Sequence, residues 1–409
     1  MTTPASTQQG GADRASAPPV LGAVLWTFAV VGIADLAYRS YVATRDDVDF
    51  RALYDGASRF VEGGSVYADP YFLLTPSGLL AMVPFGLLDR DAAFAVWNTL
   101  SLAAAAAGVA LSLRFARVPL RSPMAAGLLL GLSLTPPLTQ TLMFGNLNNS
   151  LLLALGAGCL LALRDDRRAL AGVLLGLSLA LKPLLVLVLV IPLLRRQWAT
   201  VAWALALPAV LNVIGFLVTP FREDFLEVTV PALLSARPDF NSSLWAIGAF
   251  FDVPEPVVVV VRVLVVLGAL LAAWRLRAAD DPVLRLASAY GVLLLATFLS
   301  AALAQGYYAL LLVPLLVTAG RPGSPLASPL AWIGVVLFAG GDEWKIAGSP
   351  DLVAAMTQVR PALGWALLLA VLAVAAFRRP GGRHAPGVPA PERVNPGTPG
   401  MPGGPGALT

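Results

Sequence analysis

The stretch ALAGVLLGLSLALKPLLVLVLVIPLL, residues 169–194, is bounded by Arg167-Arg168 on one side and Arg195-Arg196 on the other. Basic residues gather at the cytoplasmic ends of membrane spans, so both ends of this stretch belong on the same side. Two full crossings would need roughly 40 apolar residues, and the stretch is much shorter than that. It therefore reads as a pair of short helices that meet inside the membrane. Proline stops a helix, so Lys182-Pro183 marks the junction. The lysine is left deep in apolar surroundings, an expensive placement unless it meets an anion.

The same pattern extends outward along the chain. Hydrophobic residues make up 57% of the 409 residues and charged residues 13%, against about 25% charged in a soluble domain. The expected fold class is an all-α polytopic membrane protein, a bundle of about twelve transmembrane helices. Spans are expected near 20–38, 92–113, 122–138, 147–163, 169–181, 184–194, 199–218, 257–274, 283–301, 307–319, 329–341 and 361–377. Under this assignment Arg114, Arg117, Arg121, Arg164, Arg167, Arg168, Arg195, Arg196, Arg275, Arg277, Arg285, Arg321, Arg378, Arg379 and Arg383 all fall on one side. Both termini are then cytoplasmic.

The opposite side receives loops 39–91 and 219–256, the Ala304–Gly306 turn and loop 342–360. Within the first of these, apolar Pro76 to Leu88 suits an interfacial or re-entrant helix on the outer face. No small-residue cleavage site follows the run Val20 to Tyr38, so it reads as a retained span. Residues 1–19 and the Pro/Gly-rich 380–409 are expected to be disordered cytoplasmic flanks of one membrane domain, 20–379.

Several function classes are excluded. Cys159 is the single cysteine and His384, in the tail, the single histidine, which removes a disulfide framework, a cysteine-based metal site and a Ser-His-Asp set. There is no phosphate-binding or dinucleotide glycine loop and no HExxH motif. The net charge of +4 comes mostly from loop arginines. No basic patch is interleaved with aromatic residues, so nucleic acid is not an expected partner.

The chemistry is expected where carboxylates meet the membrane surface. Asp46, Asp47 and Asp49 follow the first apolar run, and Phe50 and Tyr54 come directly after. Asp49 is the first choice for a general base acting on a water-side substrate. The three acids alone are a weak signal for a divalent cation, and no metal is expected. Lys182 is the natural partner of a lipid phosphate, with Arg237 as a second cation. Polar residues also gather where spans reach the outer face: Gln140, Asn146, Asn148 and Asn149; Asn241, Ser242 and Ser243; Gln305, Tyr307 and Tyr308. Amides that hydrogen-bond hydroxyls, with rings that stack on sugar faces, suit a carbohydrate, and Asp47 and Tyr54 are placed in the same sugar-binding set.

Particular motifs carry a family likeness. Asp49-Phe50 with Tyr54, the Gly63-Gly64 and Tyr67 turn, Gly145-Asn146-Leu147-Asn148, Leu181-Lys182-Pro183 before Arg195-Arg196-Gln197-Trp198, and Phe240-Asn241-Ser242-Ser243 resemble glycosyltransferase family 87. These are polyprenyl-phosphate-sugar-dependent enzymes of the GT-C architecture. Thr141-Leu142 before Phe144, Leu181-Lys182-Pro183-Leu184-Leu185 and Ala304-Gln305-Gly306-Tyr307-Tyr308 are most similar to its actinobacterial members that form α-(1→3) arabinofuranosyl branches.

The likeness implies decaprenylphosphoryl arabinose as donor and the arabinan of arabinogalactan or lipoarabinomannan as acceptor. It also implies a plasma-membrane location, an extracytoplasmic site and inversion at the anomeric carbon. By position, Asp49 matches the family's catalytic aspartate and Lys182 its lysine near the donor phosphate. The chain departs from the family at Leu74-Thr75-Pro76, where Tyr-Pro-Pro is usual, and at Gly145-Asn146-Leu147-Asn148, where Gly-Gln-x-Asn is common. A mannosyltransferase of the same family is the alternative. From another class, a secondary transporter or lipid-linked sugar flippase also accommodates many spans and an embedded lysine.

Overall fold

The computed structural model describes residues 19–42, 48–235, 241–340 and 350–378, with side chains from 357 in the last segment. Among them every regular element is a helix. The expected flanks 1–19 and 380–409 lie, but for Pro19, outside the described residues, as do 342–349 of the loop 342–360 and the last residue of the expected span 329–341.

The chain starts with α1 (Pro19–Val42), α2 (Val48–Val61), α3 (Pro76–Gly86), α4 (Arg90–Phe115), α5 (Pro123–Leu134), α6 (Pro136–Met143), α7 (Leu147–Arg164) and α8 (Arg168–Leu181). A 3-10 helix, Pro183–Leu189, leads into α9 (Val190–Leu194), followed by α10 (Trp198–Val218), a π-helical turn Phe225–Thr229 and α11 (Val230–Leu234). The remainder is α12 (Leu244–Phe250), α13 (Glu255–Leu276), α14 (Pro282–Ser300), a 3-10 helix Gly306–Leu312 running into α15 (Val313–Leu316), α16 (Pro329–Ala339) and α17 (Pro350–Arg378).

All twelve expected spans fall on helices, yet the count of twelve full spans does not follow. Seven described helices, in α1, α4, α7, α10, α13, α14 and α17, are long and apolar enough to cross a membrane. Proline accounts for much of the shortfall. Pro136 splits the expected span 122–138 into α5 and α6, and Pro183 ends the run that begins at Arg168. Pro192 and Pro314 stand in the short α-turns that succeed the two 3-10 segments, where they cannot donate to the preceding turn.

The residues 168–194 do form a hairpin that returns to its starting end. Gln197 Nε2 donates to Asp166 Oδ1 at 3.1 Å and Thr200 Oγ1 to the Arg168 carbonyl at 2.9 Å, which ties the exit of the hairpin to its entrance. Helix α8 rises about 21 Å at 1.5 Å per residue, so its apex, Lys182-Pro183, is remote from that end. Returning α10 packs on α8 at close range: a Cβ on Gly172 would lie 2.6 Å from the Thr200 carbonyl. Small residues of this kind let helices approach where lipid offers no hydrophobic drive between them.

Helix α14 is buried along nearly its whole length and forms the centre of the bundle. Helices α10 and α13 expose valine and leucine outward, Leu205, Val213, Val260 and Leu264 among them, a pattern that belongs against lipid. The arginine-bearing turns converge at one end. Arg164 donates to the carbonyls of Arg114 and Phe115, Arg195 to that of Leu163, and Arg321 to that of Ala116 and to Asp281.

Candidate active site

At the other end of α7, about 27 Å away along its axis, four breaks in helical structure come together. They are the start of α2, the Phe144-Gly145-Asn146 junction between α6 and α7, the Lys182-Pro183 apex, and the Ala301–Gln305 turn that follows α14. Each break frees backbone groups that need partners. The amides of Asp49 and Phe50, which the first turn of α2 cannot satisfy, both donate to the Phe144 carbonyl at 3.1 Å.

Gly145 makes this close approach possible. Its φ is +71°, and a Cβ there would stand 2.6 Å from Phe50 Cβ. Its carbonyl accepts from Trp97 Nε1 at 2.6 Å. Phe50 is fully buried against the edges of Phe94 and Trp97, so the backbone that carries Asp49 is anchored on both flanks.

Asp49 is held by one carboxylate oxygen. Its Oδ2 accepts from Asn146 Nδ2 at 2.9 Å and lies 2.8 Å from the Tyr307 hydroxyl. Asn146 Nδ2 also donates to Tyr307 Oη at 3.0 Å, and Gln305 Oε1 is the hydroxyl's second acceptor. That hydroxyl carries one proton and serves Asp49 or Gln305, not both at once. No hydrogen bond from the described residues reaches Oδ1 of Asp49. The carboxylate is thus oriented while one oxygen remains able to accept from a hydroxyl.

The adjoining residue reaches the lysine. Tyr308 Oη accepts a short hydrogen bond from Lys182 Nζ, which also sits 4.6 Å from the centre of the Tyr308 ring. The rings of Tyr307 and Tyr308 are 5.2 Å apart and nearly perpendicular. Two consecutive side chains of one turn therefore bridge the acid and the cation. Among the described residues no carboxylate pairs with Lys182. It lines a cavity of about 410 Å³ with Thr75, Leu184, Leu187, Leu233 and Val266, mostly apolar walls. Asp49 is not among the cavity's lining residues and stands beyond the tyrosine pair.

A site of this kind pairs a carboxylate with an ammonium beside an apolar groove, which suits transfer of a group from a lipid-borne anion to a hydroxyl. Residues 72–301 match the model of glycosyltransferase family 87. The α-(1→3)-arabinofuranosyltransferase of Mycobacterium tuberculosis is 34% identical over 384 residues, covering 90% of this chain and 88% of that protein. The chain belongs to glycosyltransferase family 87.

Relatives bearing the same name from Mycolicibacterium smegmatis (33% identical, 88% of this chain and 87% of the relative) and Corynebacterium glutamicum (29% identical, 87% of each) are also similar over most of their length. This family-87 chain is a multi-pass membrane glycosyltransferase, which sets aside the transporter reading.

Of the residues singled out in its sequence, Asp49, Asn146, Gln305 and Tyr307 form one hydrogen-bonded set and Lys182 with Tyr308 another, and the edge-to-face contact of the two tyrosine rings joins them. Asn241 and Ser242 hold the Ala301–Gln305 turn from behind. Asn241 Nδ2 donates to the Ala302 carbonyl at 2.7 Å, its Oδ1 accepts from the Ala304 amide at 2.9 Å, and the Ser242 amide donates to the Ala304 carbonyl at 2.6 Å. Tyr54 stacks on Phe50 and donates to the Leu88 carbonyl at 3.0 Å, so its side chain braces α2. Asn148 is buried in the first turn of α7, and its Oδ1 has no hydrogen-bond partner among the described residues. Asp47 and Arg237 lie outside the described residues.

Two contributions escape sequence reasoning in this family-87 chain, Thr75 with Ser77 and Arg262, while Asn149, singled out in the sequence, is given its partners only by the fold. Thr75 Oγ1 and Ser77 Oγ both donate to the Ala180 carbonyl, at 3.0 and 2.6 Å, and cap the broken end of α8 just below Lys182. This is the position where the chain departs from Tyr-Pro-Pro. Asn149 Nδ2 donates to the Tyr307 carbonyl at 3.0 Å and to Thr141 Oγ1 at 2.8 Å, which fixes the tyrosine turn. Arg262, inside the expected span 257–274, donates to the Ser300 carbonyl and lies 4.2 Å over the Trp245 ring. The signal for it is a lone cation in an apolar run.

Proposed function

We propose that this protein transfers arabinofuranose from decaprenylphosphoryl arabinose to the arabinan of arabinogalactan or lipoarabinomannan, forming α-(1→3) branches with inversion. Its active site faces the extracytoplasmic side of the plasma membrane. The observation that carries the reading is the Tyr307-Tyr308 bridge. It sets an oriented carboxylate, bonded to one tyrosine, and an ammonium that pairs with no described carboxylate, bonded to the next, on either side of two touching rings and beside an apolar cavity. The names of the mycobacterial and corynebacterial relatives support arabinofuranose as the sugar.

In the proposed reaction Asp49 takes the proton of the acceptor hydroxyl as its oxygen attacks the anomeric carbon from the face opposite the phosphate. The bond from that carbon to the phosphate oxygen breaks in the same step, and the electron pair leaves on polyprenyl phosphate. Lys182 neutralises the charge that develops there. Arg237 is proposed as a second cation, and Asp47, Tyr54, Asn148, Asn241 and Ser242 as part of the sugar-binding surroundings. The polyprenyl chain runs along the apolar cavity walls, so its hydrocarbon stays out of water.

The test uses purified protein in detergent with decaprenylphosphoryl arabinofuranose and a linear arabinan oligomer, followed by linkage analysis of the product. A new α-(1→3) branch is expected. Asp49→Asn is expected to lower turnover by about 10² to 10⁴-fold with unchanged protein yield. Wild-type turnover in that variant removes Asp49 from the role. Transfer from polyprenyl-phosphate mannose in preference to arabinose assigns the chain to the mannosyl alternative.

A further inference from the structure

The arginine end of the bundle holds a second cavity, of about 530 Å³, which the transfer reaction does not use. Arg195 approaches it from the end of α9, Arg277 from the end of α13 and Arg285 from the first turn of α14. Its floor is apolar, with Ile191, Leu286 and Ala289.

The three guanidiniums are little committed to the protein. Arg195 donates to the Leu163 carbonyl at 3.0 Å and Arg285 to the Ala279 carbonyl at 3.1 Å, while Arg277 rests 4.4 Å over the Trp274 ring. Each guanidinium has five N–H donors, so most remain available. Two neighbouring carboxylates are taken, Asp166 by Arg168 and Gln197 and Asp281 by Arg321 and the amides of Val283 and Leu284. Among the described residues no carboxylate stands within 4 Å of any of the three. Burial, and next the nearby charge of Arg285, push the Arg195 guanidinium pKa down, with Asp166 acting in the opposite direction.

The surroundings of the cavity point to an amphiphile. Trp274, under the Arg277 guanidinium, is exposed on α13, as are Leu271, Leu267 and Leu264 along the same helix. An exposed tryptophan flanked by arginines marks the level of lipid head groups. A soluble anion would need the cations but not the apolar floor or the apolar helix face that leads away from it.

We propose that this cavity binds the phosphate head group of an anionic phospholipid, held by Arg195, Arg277 and Arg285, with its hydrocarbon lying along α13. The site is at the opposite end of the bundle from Asp49 and is independent of the reading of the active site. Basic pockets between membrane helices recognise such head groups through charge, at about five-fold in affinity per arginine.

The experiment uses the full chain in neutral detergent and reads lipid retention by native mass spectrometry and the unfolding temperature. Phosphatidylglycerol is compared with phosphatidylcholine of the same chains, and inorganic phosphate serves as the soluble probe. Preferential retention of phosphatidylglycerol with a raised unfolding temperature is expected. R277Q should weaken retention about five-fold and R277Q/R285Q about 25-fold, whereas R121Q, outside the cavity, should leave it unchanged. The Arg277 side chain is exposed and donates no hydrogen bond within the described residues, so R277Q tests the site even if the double variant folds poorly. Equal retention of the two lipids, or full retention by R277Q, overturns the proposal. So does equal stabilisation by inorganic phosphate without lipid preference, which would assign the cavity to a soluble anion.

Discussion

The two ends of α7 use polar groups in opposite ways. At the Arg164 end, several side-chain donors terminate on a backbone carbonyl or a neighbouring carboxylate: Arg164 on Arg114 and Phe115, Arg321 on Ala116 and Asp281, Thr200 on Arg168. These contacts close helix ends. At the Asn146 end, bonds from two other chain segments lead inward to a single carboxylate with one oxygen unused among the described residues. A lysine that meets no described carboxylate lies two tyrosines away. The first arrangement resists unfolding, and the second holds charge in a state that only a substrate would complete. Orientation without satisfaction distinguishes a reactive cluster from a structural one.

Substitutions at the two ends should therefore separate turnover from stability. The largest effect is expected for Asp49→Asn, a loss of about 10² to 10⁴-fold in turnover with little change in unfolding temperature. Lys182→Met should come next, at about 10² to 10³-fold, the scale of one lost charge-stabilising donor. Because the methionine keeps the apolar wall of the cavity, donor partitioning into detergent-solubilised protein would persist while transfer fails. Turnover close to wild type would show that the cation at the apex is structural after all.

Ser77→Ala sits between the two classes. It leaves the Ala180 carbonyl with Thr75 alone, so a stability cost of about 1 kcal/mol is expected, with a modest fall in turnover as the apex loosens. Thermal unfolding and transfer measured on the same preparation check both halves. At the arginine end, Arg164→Met removes the donors to two carbonyls and should cost about 1–3 kcal/mol of stability. Its transfer rate per folded molecule should equal that of the wild type, and a loss there larger than a few-fold would break the distinction between the ends.

The smallest effect concerns pH. Asp281 keeps a carboxyl pKa below the usual carboxylate value: burial alone raises it, but the Arg321 hydrogen bond and the amides of Leu284 and Val283 outweigh that. A depressed folded-state pKa gives stability that is present above the unfolded value of about 3.9 and is lost as pH falls below it. Asp281→Asn should remove this part of the acid sensitivity and lower stability modestly at neutral pH, as read by unfolding temperature from pH 3 to 7. The pair is partly exposed, so solvent screening keeps the difference small.

Much of the site is legible in the amino-acid sequence, because charge in an apolar chain is conspicuous. Lys182 stands out as a cation beside a proline in an otherwise hydrophobic run, and Asp49 as an acid at the edge of the first span. Thr75 and Ser77 are not legible, since hydroxyl residues in a loop carry no sign of which distant carbonyl they meet. Arg262 escapes notice for the opposite reason: a strongly apolar helix absorbs one arginine without changing its average. The number of full spans is not legible from hydropathy, which counts apolar residues and does not register how proline shortens the helices that contain them.

The sequence by itself determined that this chain is a helical membrane protein, that residues 168–194 turn back at Lys182-Pro183, and that most of its arginines, those of loop 39–91 excepted, gather at one end. Those properties are set by composition and by proline, which act locally. Only the tertiary structure decided that Tyr307 and Tyr308 join position 49 to position 182. That link depends on where four separate helix breaks meet, and the partners lie up to 258 residues apart in the chain. The long-range packing of α7, α8 and α14 brings them into contact, and no local pattern encodes it.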